Sequence, residues 1–96
     1  VTTKRIVVHV EIRLAKGARI NDLVLENDQA TLQDALLAMS KEEWAHDLFE
    51  ITDGGADLIP GFMMVLGNRM VQKWELENTL VNHEADLKFV QVVPGG

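Results

Sequence analysis

Ninety-six residues, 47% of them apolar, suffice for one domain around a single buried core. Fifteen acidic residues against nine basic ones give a formal charge of −6, and this balance argues against nucleic acid as a partner, because phosphate backbones draw basic stripes. The absence of cysteine excludes disulfides, thiolate metal sites and a cysteine nucleophile, and no apolar run is long enough for a membrane span.

From residue 4 to residue 14 the chain alternates strictly. Ile6, Val8, Val10, Ile12 and Leu14 fall on one side, and Arg5, Val7, His9, Glu11 and Arg13 on the other. A period of two with β-branched residues predicts a half-buried strand. Ala15-Lys16-Gly17 supplies a turn, and Ile20 to Glu26 reads as a second, weaker strand, so the pair is expected as an antiparallel hairpin. Thr31 has the character of an N-cap, with Asp34 in the first turn, and Leu32, Ala35, Leu36 and Met39 recur at helical spacing. Ser40 followed by Glu43 has capping-box spacing. Two readings stand there: a second short helix through Phe49 with Trp44 and Leu48 inward, or one longer helix.

Thr52-Asp53-Gly54-Gly55-Ala56-Asp57 reads as a loop. A calcium cage needs oxygen ligands at alternate positions and a closing carboxylate; that spacing is missing, so the reading is an ordinary turn. Phe62 to Leu66 is a third strand whose nearly unbroken apolarity predicts burial on both faces or a packed neighbour. Gly67-Asn68 is a two-residue hairpin turn returning into a short strand, Arg69-Met70-Val71. Trp74, Leu76 and Leu80 are expected to plug the edge of the core. Asn82 to Asp86 then turns the chain into a last strand, with Leu87 and Phe89 facing one way and Lys88 and Val90 the other. Pro94 lacks a backbone donor, so pairing should stop before it.

Two strands, a helix, two strands, a turn and a final strand returning beside the first make an α+β chain of the β-grasp arrangement. A mixed sheet of four to five strands, with one main helix packed across one face, is the expected form of a single domain over residues 1–96. Residues 91–96 are expected as a flexible tail ending in Gly95-Gly96, since glycine costs the most backbone entropy to order and has no Cβ to obstruct a narrow slot. The terminal carboxylate of Gly96 is therefore the candidate functional group, with Gly95, Pro94, Val93 and Val92 as the segment that threads a partner's active site. The plainer reading is a frayed end.

Three stretches resemble the ubiquitin-like sulfur carriers: the small subunit of molybdopterin synthase, the thiamin-pathway carrier and the ubiquitin-related modifier. Thr31-Leu32-Gln33-Asp34-Ala35-Leu36-Leu37 is similar to the family's helix start. Pro60-Gly61-Phe62-Met63-Met64-Val65-Leu66-Gly67-Asn68 resembles its Pro-Gly, apolar strand and Asn turn, and Val90 to Gly96 resembles its last strand and Gly-Gly tail. The resemblance implies that the chain is no enzyme but a carrier. An E1-like activating enzyme would adenylate the Gly96 carboxylate with ATP, and the adenylate would become a thiocarboxylate that donates sulfur in biosynthesis. It implies as partners that enzyme, a sulfurtransferase or synthase large subunit, and a processing protease. No cofactor is bound by the carrier itself, and a cytoplasmic location is expected, with no signal-peptide pattern in view. The chain departs from the family in Asn82-His83-Glu84-Ala85-Asp86, where relatives carry an acidic Asp-Gly-Asp turn, and in Pro94 before the glycines.

If the helix covers the Ile6/Val8/Val10 side, Val7, His9 and Val90 lie outward on neighbouring central strands and offer a docking patch beside the tail; scattered surface valines are the ordinary alternative. The three histidines show no metal-ligand spacing, and His46 and His83 read as plain surface residues. Trp44 and Trp74 read as core anchors. Two further functions compete: a protein modifier joined through Gly96 to target lysines, and a passive β-grasp interaction domain whose Gly-Gly end is incidental.

Overall fold

The alternating run at the start folds as strand β1 (Ile6–Leu14), and the side chains of Ile6, Val8, Val10 and Ile12 are buried while His9 and Arg13 stay in water. The computed structural model describes residues 5–53 and 55–92. Strand β2 (Gly17–Leu25) pairs antiparallel with β1 from Leu14↔Gly17 to Ile6↔Leu25. It is longer than its side chains suggested, because a ladder propagates from the turn through backbone bonds, whatever the polarity of the side chains.

Helix α1 (Leu32–Met39) opens as the sequence indicated. Thr31 Oγ1 accepts from the Asp34 N–H at 3.2 Å, and the Asp34 carboxylate accepts from the Thr31 N–H at 3.0 Å. Two of the N–H groups that a helix start leaves unpaired are taken by distant carbonyls: Leu32 donates to Thr79 at 2.7 Å and Gln33 to Leu76 at 3.1 Å. Leu32, Ala35, Leu36 and Met39 are fully buried against the sheet.

Neither reading of Ser40–Glu43 holds. Ser40 closes the helix, and its hydroxyl donates back to the Leu37 carbonyl at 2.6 Å instead of capping a new one. The chain tightens through Lys41 and Glu42, each bonded three residues back, and makes a 3₁₀ turn at His46–Leu48. Phe49 then starts a hairpin of its own, β3 (Phe49–Thr52) with β4 (Gly55–Leu58), where the sequence had suggested helix and loop. Phe49 is its anchor: the ring meets Phe89 edge to face, 6.4 Å between centroids at 83°.

Strands β5 (Phe62–Leu66) and β6 (Arg69–Val71) form the expected hairpin. Gly67 has φ +63° and Asn68 is not in the left-handed region, the signature of a type II′ turn. Only one side of β5 is buried: Met64 points into the core, and Met63 on the other side is 41% exposed. Strand β7 (Ala85–Gln91) pairs parallel with β1 and antiparallel with β5. The mixed five-stranded sheet therefore runs β2-β1-β7-β5-β6, with α1 on one side, and the chain is α+β.

Two expected core plugs point elsewhere. Trp74 is 77% exposed, because the 3₁₀ turn at Lys73–Glu75 carries it outward and Leu76 takes the interior position. Leu80 is 56% exposed, and its neighbour Val81 is buried in its place. Trp44 is half-buried and packs on the core margin. Among the described residues, no helix is long and apolar enough to cross a membrane.

Candidate functional site at the end of the last strand

Strand β7 lies in the middle of the sheet, and its inward residues Leu87 and Phe89 are completely buried. Its far end is held on both sides. Gln91 pairs with Phe62, and its side-chain oxygen accepts from the Ala15 N–H at 3.0 Å, in the β1–β2 turn. The Val92 N–H donates to the Gly61 carbonyl at 2.7 Å. The first two residues of the expected 91–96 tail are thus fastened to the fold, and Val92 has a half-exposed side chain. The other tail positions, Val93, Pro94, Gly95 and Gly96, lie outside the described residues.

The side of the sheet away from α1 carries the expected docking residues but divides them. The ladder sets Val7 beside Val24, His9 between Asp22 and Asp86, and Val90 between Arg13 and Met63. Val90 lies opposite Arg13, four positions along β1 from His9, which at about 3.3 Å per residue is some 13 Å. Val7, His9 and Val90 therefore do not form one patch. Val90 instead continues into Met63, Val65 and Met70, an apolar strip of β7, β5 and β6 adjoining the root of the tail. Reading Phe62–Leu66 as buried on both faces or covered by a packed neighbour concealed this strip. A strict inward-outward alternation through Met64 would have placed Met63 and Val65 outside.

Charge on this side is arranged in pairs. His9 Nδ1 and the Asp22 carboxylate are 2.8 Å apart. That hydrogen bond holds the His9 pKa above its ordinary value of 6.5, against an opposing loss of hydration, and the charges of Asp22, Asp86 and Glu84 add smaller contributions in the same upward direction. Glu11 is hydrogen-bonded by Arg13, which holds its carboxyl below the usual range, with Lys88 across the ladder helping. His83 is more than a surface residue, since its Nδ1 accepts from the Val7 N–H at 3.2 Å and ties the entrance of β7 to β1. His46 is exposed on its 3₁₀ turn.

A cavity of about 340 Å³ opens beside β5, lined by Leu58, Pro60, Phe62, Met64 and Leu76 among others, and it shares Met63 and Met70 with the apolar strip. Pro60 and Phe62 bracket Gly61, so the cavity wall and the anchor of Val92 share one loop. Lys73 and Asp57, 4.0 Å apart, stand at its rim. Among the described residues, no three His, Asp or Glu side chains are grouped to hold a metal ion. What these parts can do is hold a peptide end in place and present an apolar strip next to it.

Compared with known proteins, the chain matches no family model, no curated protein and no solved structure.

Proposed function

We infer that the protein is a ubiquitin-like sulfur carrier of β-grasp fold, working through the carboxylate of Gly96. The observation that carries the reading is the fastening of Gln91 and Val92 at the end of a central strand, with Val93-Pro94-Gly95-Gly96 following in the sequence. Four residues beyond a fixed point reach up to about 14 Å, enough to enter a partner's active site. The five-stranded order, with the first and last strands parallel and one helix across one side, is consistent with the β-grasp arrangement.

The chemistry belongs to the partners. A free carboxylate is a poor electrophile, so an E1-like activating enzyme transfers AMP from ATP to the Gly96 carboxylate and releases pyrophosphate. The outer sulfur of a persulfide on a partner cysteine then attacks the acyl carbon and AMP leaves, which gives an acyl disulfide. A second partner thiolate attacks the cysteine sulfur of that disulfide, so a protein disulfide forms and the thiocarboxylate that donates sulfur is released. The Val90–Met63–Met70 strip is where the activating enzyme or a synthase large subunit docks.

Intact mass, taken after expression with the cognate activating and sulfurtransfer enzymes, tests this. A shift equal to one oxygen replaced by sulfur, absent when Gly96 is deleted, is expected. An unchanged mass, with no adenylate formed from ATP, rejects the reading and leaves a binding module. High-mass conjugates that vanish with the same deletion would make the protein a modifier of target lysines.

A further inference from the structure

Strand β2 is an outer strand of the sheet, and its free side is chemically legible. The Val7 N–H goes to His83 and the Val7 carbonyl accepts from the Glu84 N–H at 2.7 Å, both on the β7 side. Val7↔Val24 is therefore a non-hydrogen-bonded pair of the β1–β2 ladder. By alternation, so are His9↔Asp22, Glu11↔Ile20 and Arg13↔Ala18. Ala18, Ile20, Asp22 and Val24 each turn their own N–H and C=O away from β1. Among the described residues no backbone group takes these up, and all four residues are exposed, Ile20 at 73%. The strand has no proline and keeps one unbroken register, so two of the usual devices that protect an edge, proline and a bulge, are missing.

We propose that this edge pairs with the same edge of a second copy, antiparallel, about a two-fold axis through Asn21, joining two five-stranded sheets into one. The register follows from three constraints. An axis normal to the sheet must bring outward-turned residues opposite each other, and centres at Ile20, Asn21 or Asp22 do so for at least three of the four. A centre at Asp22 sets two carboxylates face to face, and a centre at Ile20 leaves Val24 opposite the turn residue Lys16. The Asn21 centre alone engages all four residues, Ala18 with Val24 and Ile20 with Asp22, each twice.

Charge points to the same partner and the same register. At both ends of the Asn21-centred ladder Lys16 of one copy meets Glu26 of the other, so the strand complements itself. Each copy carries a formal charge of −6, which opposes association in general, yet this strip is locally balanced. Arg19 is forked onto Asp47 at 3.0 and 3.2 Å, and Asp22 is held by His9. Ile20 and Val24, both large apolar side chains left in water, lie diagonally across the new junction from Ile20 of the other copy. A peptide from another protein would use the same hydrogen bonds but has no reason to match Lys16 and Glu26 at once.

Sedimentation equilibrium of the full chain up to millimolar concentration tests this, with a species of twice the 10.7 kDa chain mass as the expected result. Ile20→Pro removes an N–H that faces solvent in the single copy, so the fold should persist by circular dichroism, while dimer affinity drops at least about tenfold. Lys16→Glu alone should weaken the dimer, since it sets two carboxylates against each other at both ends of the ladder, and adding Glu26→Lys should restore it. A chain that stays monomeric throughout overturns the proposal, and so does a dimer indifferent to Ile20→Pro. A dimer sensitive to Ile20→Pro but not rescued by the charge exchange overturns the Asn21 register.

Discussion

The two sides of the sheet obey different rules. Toward α1, Val8, Val10, Ile12, Leu87 and Phe89 are sealed by Leu32, Leu36 and Met39, and the centre of that side is wholly apolar. On the opposite side the same strands carry His9, Glu11, Arg13 and Lys88 between Val7, Val65 and Val90, and no element of α1 covers them. The strands are shared, so the contrast comes from alternate residues of one backbone. It separates what holds the chain folded from what the chain can offer a partner.

The sharpest way to break that contrast is Phe89→Ala. Phe89 is fully buried, touches Phe49 edge to face and lies on a central strand, so its loss should cost about 3–5 kcal/mol, read from denaturant midpoints. A cost near zero would mean that the helix side is not the core. On the open side, Met63→Gln should change stability by no more than about 0.5 kcal/mol. The same variant should weaken capture of an activating enzyme or synthase subunit in a pull-down against the unaltered chain, and equal capture would remove the strip from the docking surface.

The smallest expected effect is a pH dependence. The folded state holds the His9 pKa above 6.5, chiefly through its hydrogen bond with Asp22, so protonated His9 favours the folded chain. That contribution is complete below pH 6.5 and fades as pH climbs through the raised value. The pair is exposed and the slope accordingly shallow. Urea titrations from about pH 5.5 upward should show the slope in the unaltered chain and lose it in Asp22→Asn.

Much of the sheet was legible because its residues had no choice. Strict alternation in β1, the alternation of Leu87 and Phe89 with Lys88 and Val90 in β7 and the Gly67-Asn68 turn each admit one local structure, and Thr31 with Asp34 marked the helix start. The β3–β4 hairpin was not legible. Glu50, Ile51 and Thr52 are all exposed, so no inward-outward alternation exists to be read, and only Phe49 is anchored. Ser40 and Glu43 matched a cap in spacing, yet the hydroxyl had a nearer carbonyl in Leu37. The open side of the sheet was half legible. Outward residues could be named strand by strand, but which of them touch depends on register, and the parallel pairing of β7 sets Val90 against Arg13 and away from His9.

That same parallel pairing has a consequence for synthesis. Val8 is joined to Ala85, so nearly the whole described chain separates two neighbouring strands. Until β7 has left the ribosome, β1 has only β2 beside it and its other edge lacks a partner. Contacts so distant in sequence make folding slow, and they make it late. The fastening of Gln91 and Val92 is therefore made only when the last strand docks.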